Sequence, residues 1–226
     1  MISDAPVRLA VFDFDGTSIR GNSPVLLVRH LVRKRMLPPS VVVRILLWAV
    51  AYKLRLPQNE SWVRCLVFRA FARKPVREVD QFLRDFYDST VERRFRTQAD
   101  EAMHQHTEAG EVVVVVSATF EPLVLRAMES HSFQYQISTR MKVAADETYT
   151  NEVEGLPVEG ARKLSAVREF ANAQYGEDGW KLAFAYGDHH SDRSILQAAE
   201  TAYAVNPDRP LARMARRCGW PVLHWR

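Results

Sequence analysis

Two carboxylates stand two residues apart in Asp13-Phe14-Asp15-Gly16-Thr17, and two more lie in the run Gly187-Asp188-His189-His190-Ser191-Asp192. Between them along the chain come Ser117-Ala118-Thr119 and Lys163. Three of these clusters follow apolar stretches that read as strands, and Lys163 falls early in a helix. In an open parallel sheet, ligands gather at the carboxyl ends of the strands, so all four clusters can share one rim. Carboxylates collected there could hold a hard cation through oxygen. A carboxylate can also attack an anionic ester once a cation and a lysine neutralise the repulsion. Hydroxyls and the amides at a helix start suit the anion itself.

Taken singly, the same residues have plainer readings. Asp-Gly is a common turn pair, Ser117 can cap the helix that follows it, and Asp192 can be the first acid of a helix. A lysine on a helix is usually solvated, and Arg162 competes with Lys163 for the cationic role. His189 and His190 invite a transition-metal reading, but no third nitrogen or sulfur ligand accompanies them. They are expected to line the site or face solvent, and His104 and His106 read as surface residues.

The elements that must position these groups follow from hydrophobic pattern. Residues 7–12 form a short apolar strand stopped by Asp13, and the five valines 112–116 are the best candidate for a central strand. Further strands are expected over 133–137, 181–186 and 202–205, with a hairpin within 141–153. Helices are expected over 121–130, 161–174 and 209–217. From about residue 22 to 105 the pattern is helical, punctuated by Pro38-Pro39-Ser40, Pro57 and Pro75. Helices are read within it from Leu26, from Val41, over 61–72 and from Pro75. Alternating strands and helices predict an α/β fold, a Rossmann-like, mostly parallel sheet with helices on both faces, carrying an all-helical insert after the first strand.

In order and position, the four clusters resemble the four motifs of the haloacid dehalogenase (HAD) superfamily, and the resemblance spans nearly the whole chain. The first motif is highly specific at the mouth of a strand, whereas the second and third are weak alone. The resemblance implies a phosphatase that works through an aspartyl phosphate, with Asp13 as nucleophile and Asp15 as general acid and then base. It places Thr17, Ser117, Ala118 and Lys163 around the phosphate. It assigns Mg²⁺ to Asp13, the backbone carbonyl of Asp15, and Asp188, with Asp192 orienting a bound water or Lys163 from behind. It divides the chain into a core of residues 1–20 and 106–226 and a helical cap of residues 21–105.

Within that superfamily the insert is similar to the cap of subclass IB hydrolases, the group that contains phosphoserine phosphatases. True phosphoserine phosphatases carry an acid shortly after the first motif to grip the substrate ammonium. Here no acid occurs between Asp15 and Glu60, and the interval holds eight Lys and Arg residues, including Arg20, Arg33, Lys34, Arg35, Lys53 and Arg55. The overall net charge of +4 therefore conceals a basic segment and an acidic remainder. The apolar stretch Val41 to Tyr52, flanked by basic residues, looks closer to hydrolases resembling bacterial phosphatidylglycerophosphatase C. Two readings stay open for it: the buried centre of the cap, or a helix lying in an anionic membrane interface. The basic segment disfavours phosphoserine, so the expected substrate is a lipid or other apolar anionic phosphate, with a soluble metabolite of the phosphoserine type as the alternative.

Composition narrows the classes. The 226 residues, 47% hydrophobic and 26% charged, can build one substantial core. No secretory signal is read at the N-terminus and no stretch reaches the roughly 20 apolar residues that a bilayer span needs. Cys65 and Cys218 alone offer neither a disulfide framework nor a zinc cluster, which fits a cytoplasmic protein, with peripheral contact to the inner face of the membrane if the basic segment touches lipid. The basic segment lacks the interleaved aromatics of single-strand binders, which argues against nucleic acid. Nothing in the sequence sets an oligomeric state.

Overall fold

In a computed structural model of the protein, the described residues are 5–37, 43 and 68–226. The Pro38-Pro39-Ser40 break, all but one residue of the apolar helix expected from Val41, most of the helix expected over 61–72, and Cys65 lie outside them. Among the described residues no helix is long and apolar enough to cross a membrane.

Strand β1 (Val7–Asp13) is buried from Leu9 onward. It pairs in parallel with β2 (Val112–Phe120) on one side and with β6 (Trp180–Gly187) on the other. Beyond β2 lies β3 (Tyr135–Thr139), and beyond β6 lie β7 (Thr201–Val205) and β8 (Val222–Leu223), giving the order β3-β2-β1-β6-β7-β8. All five pairings are parallel. The short strands β4 (Met141–Val143) and β5 (Tyr149–Val153) form the expected hairpin apart from this sheet. Chain order runs outward from β1 through β2 and β3, then crosses to the other side of β1 at β6. The crevice where ligands collect in such sheets therefore opens at the carboxyl ends of β1 and its neighbours.

Two apolar layers sandwich the sheet, because neighbouring side chains of a strand point to opposite faces. Ala10, Phe12, Val113 and Val115 face one layer. There they meet helix α1 (Ser23–Arg33), α2 (Val76–Phe86), α3 (Thr97–Glu108) and α4 (Glu121–Met128) through Leu27, Leu31, Val79, Leu83, Phe86, Met103, Leu123 and Val124. Leu9, Val11, Val114 and Val116 face the other. That layer is closed by α5 (Ala161–Tyr175), α6 (Arg193–Ala198) and α7 (Arg209–Cys218) through Val167, Ala171, Ile195, Leu196, Leu211 and Ala215. Each such large apolar side chain, fully buried, contributes roughly 1.5–3 kcal/mol. The valine run is buried on both faces because both layers press on it.

Local signals set the helix ends. Asn22 accepts a hydrogen bond from the Val25 amide (3.1 Å) and Pro24 stands in the first turn, which starts α1. Asp208 accepts from the Leu211 amide (2.8 Å) to start α7, and Gly219 in the left-handed region ends it. Between α2 and α3 the chain passes through a π-helical turn (Tyr87–Val91) and a 3₁₀ turn (Glu92–Arg94).

Candidate active site

The register of β1 against its neighbours brings the sequence clusters together. Asp13 lies opposite Val116, so Ser117 emerges beside it, and Phe12 lies opposite Tyr186, so Gly187-Asp188 emerges on the other side. After Asp13 the backbone folds into a compact turn, with the Ser18 hydroxyl donating to the Asp13 carbonyl (2.6 Å) and the Ile19 amide to the Phe14 carbonyl (2.9 Å). Gly16 sits in this turn at φ +83°, and a Cβ there would stand 2.0 Å from Asp188 Oδ2. No other residue type fits that contact and that backbone conformation.

Oxygens of Asp13, Asp188 and Asp192 all lie within 4.8 Å of one another. Lys163 Nζ donates to Asp13 Oδ1 (2.5 Å) and to Asp192 Oδ1 (2.7 Å), with Asp13, Lys163 and Asp192 all buried. Arg162, the competing cation, instead pairs with Glu169. Thr17 is fully buried, its hydroxyl 3.5 Å from Asp13 Oδ2 and 3.3 Å from Asp188 Oδ1. Ser117 is buried and its Oγ accepts from the Thr119 amide (3.0 Å). Both lie within β2, which runs on through Ala118 to Phe120 with a register shift against β3 instead of stopping after the valines. The Asp15 carboxylate is held separately, accepting from the Ser23 amide (2.5 Å) and the Ser23 hydroxyl (3.1 Å).

Burial sets the electrostatics. It raises the Asp13 carboxyl well above the usual range; Lys163 opposes that rise, while Asp192 and Asp188 add to it. Asp188 is pushed up to about 7 by burial and then by Asp192, with Lys163 opposing. Asp15 is pushed up to about 7 by burial, against the hydrogen bonds from Ser23, with Asp13 adding to the rise. Burial works against the charge of Lys163, yet Asp13 and Asp192 more than offset it and its pKa is raised. Three carboxylates grouped at one lysine leave excess negative charge that a divalent cation would relieve. The converging donors are all oxygens, which suits Mg²⁺.

His189 faces solvent, its Nδ1 accepting from the Ser191 amide (3.2 Å) where it starts the turn that carries Asp192. His190 Nε2 lies 3.0 Å from Arg193 Nη1. His104 is exposed, as expected. His106 is not a surface residue: its side chain is 12% exposed, with Nδ1 2.5 Å from Glu111 Oε2 and Nε2 2.8 Å from the Tyr186 hydroxyl. It follows Ala99 and Met103 on the buried face of α3, which is the reason for the difference.

Several residues with a part in this geometry escaped the motif search. Ser23 holds Asp15, and its hydroxyl lies 2.7 Å from that of Thr119. The helix-start signal at Asn22-Ser23 marks the position but not the reach back to Asp15. The Asp208 amide donates to the Asp188 carbonyl (2.9 Å). Buried Arg96 donates from Nη2 to the Gly16 carbonyl (3.2 Å), with no sequence signal to announce it.

Comparison with known proteins adds independent findings. The family model described as haloacid dehalogenase-like hydrolase matches residues 10–197. A histidinol-phosphatase from Neisseria meningitidis serogroup C is 25% identical over 234 residues, covering 97% of this chain and 99% of the relative. The crystal structure of a protein of unknown function from Bordetella pertussis Tohama I superposes with a TM-score of 0.85 at 23% identity, covering 97% of this chain and 99% of that one. A phosphoserine phosphatase holding an analogue of its phospho-aspartyl intermediate superposes with a TM-score of 0.65 at 20% identity, covering 97% and 93%.

Proposed function

Because this chain belongs to the haloacid dehalogenase-like hydrolases, as a phosphatase of that family, we propose that it hydrolyses phosphate monoesters with Mg²⁺ through a phosphoryl group carried on Asp13. The observation that carries this reading is the contact of Lys163 with Asp13 and Asp192, set within the group of carboxylate oxygens that Asp13, Asp188 and Asp192 bring together.

Asp13, the backbone carbonyl of Asp15, and Asp188 would hold the ion, and Asp192 stands close enough to hold either Lys163 or the ion. When bound, Mg²⁺ supplies charge that offsets repulsion between carboxylate and ester. An Asp13 carboxylate oxygen attacks phosphorus, and the P–O bond to the leaving alcohol breaks. Asp15 gives its proton to the departing oxygen; a pKa near 7 suits a group that must first donate and then accept. Water then attacks the phosphoryl group, Asp15 takes its proton, and the Asp13–phosphorus link breaks to release inorganic phosphate. Lys163, the Thr17 and Ser117 hydroxyls, and the amide of Ala118 are the groups near which the phosphoryl oxygens would rest. The cap that the family resemblance assigns to residues 21–105 would serve to exclude water from this chemistry.

For the substrate, the end-to-end match to a relative named histidinol-phosphatase supports a small, water-soluble monoester. The lipid reading depends on residues 41–54, of which all but Val43 lie outside the described residues. A phosphate-release screen over histidinol phosphate, phosphoserine, sugar phosphates, phosphatidylglycerophosphate and lysophospholipid phosphates tests both parts. Turnover of soluble esters without detergent, lost on chelation and restored by Mg²⁺, is expected. Release only from lipid phosphates would reverse the substrate reading, and release undiminished by chelation would remove the metal from it.

A further inference from the structure

Arg96 lies between β1 and α3 in a position that the chemistry above does not use. Its side chain is buried, the whole residue being 8% exposed, yet no carboxylate among the described residues pairs with it. A buried guanidinium without an anion is costly, so its other contacts must explain its place. Nη2 donates to the Gly16 carbonyl (3.2 Å) and Nη1 to the Trp225 carbonyl (2.8 Å). The Trp225 carbonyl also accepts from Asn206 Nδ2 (2.7 Å). The Arg96 amide donates to the Ser18 carbonyl (2.9 Å), so main chain and side chain both grip the turn that follows Asp13.

The contacts on either side of this strut lead to the acids. Gly16 packs its α-carbon so closely on Asp188 that a methyl group would overlap Asp188 Oδ2. The Trp225 ring lies against Tyr186 (centroids 5.8 Å apart), and Tyr186 stacks on Phe12 (4.1 Å). Phe12 directly precedes Asp13, and Tyr186 stands two residues before Asp188. One guanidinium therefore braces the turn lying over Asp188 and, through Trp225, the aromatic stack beneath Asp13 and Asp188. Burial lowers the Arg96 pKa, Arg20 adds to the lowering, and Asp188 opposes it.

We propose that Arg96 is a positioning residue that sets the spacing of Asp13 and Asp188, and through it the affinity of their cation site, by holding the Gly16 and Trp225 carbonyls at once. The proposal rests on the metal-dependent reading above but is tested apart from turnover. Metal-free protein is titrated with Mn²⁺, free ion being read by electron paramagnetic resonance, and kcat and KM are measured separately on an accepted ester.

Arg96→Met keeps the length of the side chain and removes both bonds. It is expected to weaken Mn²⁺ binding about 10-fold and to lower kcat roughly 10- to 100-fold, the range seen when groups behind metal ligands are removed. KM stays within about twofold, since Arg96 does not face the ester. Arg96→Lys can reach only one carbonyl and recovers part of both losses. If Arg96→Met does not fold, Asn206→Ala decides: it leaves the bond to Gly16 but loosens Trp225, and shifts the same two quantities in the same direction by a smaller factor. Wild-type Mn²⁺ affinity and kcat in folded Arg96→Met, or in Asn206→Ala where that variant decides, overturn the proposal. A wild-type protein that hydrolyses no ester, with Mn²⁺ binding still weakened in Arg96→Met, would sink the phosphatase reading and leave Arg96 its role.

Discussion

At the carboxyl ends of β1 and β6, Asp13, Asp188 and Asp192 crowd around Lys163 in a buried pocket of charge. Where α2 and the turn after it meet α4, the polar contacts are of another kind. Arg84 pairs with Glu129 through both nitrogens (2.6 and 2.8 Å), Arg126 pairs with Asp88 (2.9 Å), and these side chains are partly exposed, from 22% for Arg126 to 49% for Asp88. Water screens the second set, which contributes about 0–1 kcal/mol per pair. Low dielectric strengthens the first, and there the loss of one partner leaves a charge stranded. The helices are docked by apolar contacts such as Leu83, Phe86 and Leu123 and trimmed by surface ions. The acids are held by strand ends and by each other, so only there does a single substitution decide activity.

The largest expected effect belongs to the acids. Asp13→Asn should lower turnover on the order of 10⁴-fold or more, as loss of a nucleophile does, with the circular dichroism spectrum unchanged. Retained activity in a cleanly purified variant would remove Asp13 from its role. Next, Lys163→Met should cost about 10²–10³-fold in kcat and also lower the melting temperature, because it leaves three acids facing one another. Its neighbour Arg162→Ala, which breaks the surface pair with Glu169 and a bond to the Ser165 hydroxyl, should match wild type in both assays. Equal losses in the two variants would contradict the division between buried and exposed charge.

A smaller change is expected from Ser23→Ala. Its hydroxyl donates to the Asp15 carboxylate and so favours the charged form. Removing it raises a pKa already near 7, and the limb of the pH–rate profile that reports Asp15 moves to higher pH. A limb that stays still or moves down would separate Asp15 from proton transfer. The least effect is expected from Arg84→Ala, a stability loss under about 1 kcal/mol in denaturant titration with kcat unchanged. A loss of several kcal/mol would mean that ions, not apolar contacts, dock α2.

The same contrast explains what could be read from the chain. Asp13 and Asp188 announce themselves because a strand end is a local pattern, whereas Lys163 is singled out only by its place in the order of the motifs; parallel pairing of β1 with β2 and β6 then brings distant clusters to one rim. The sheet and its two helical layers follow from the valine run and the helical spacings. Ser23, Arg96 and Asp208 act through backbone carbonyls or a carboxylate that only the folded turn brings near, and no residue-type pattern encodes such a contact. His106 was legible in principle, since Ala99, Met103 and His106 fall on one helical face; reading it by residue type alone put it on the surface. Strand β8 has only two residues and pairs with β7 alone, too little for a periodic signal.

The phosphoryl group itself offers the most direct test. Protein mixed with an accepted ester and Mg²⁺ is quenched within one turnover and reduced with borohydride, and its peptides are mapped by mass spectrometry. The account predicts that an acyl phosphate is trapped and reduced at Asp13 and nowhere else, and that Asp13→Asn shows no such product. Trapping at Asp15, Asp188 or any other residue, or none during a measured burst of alcohol release, would contradict it.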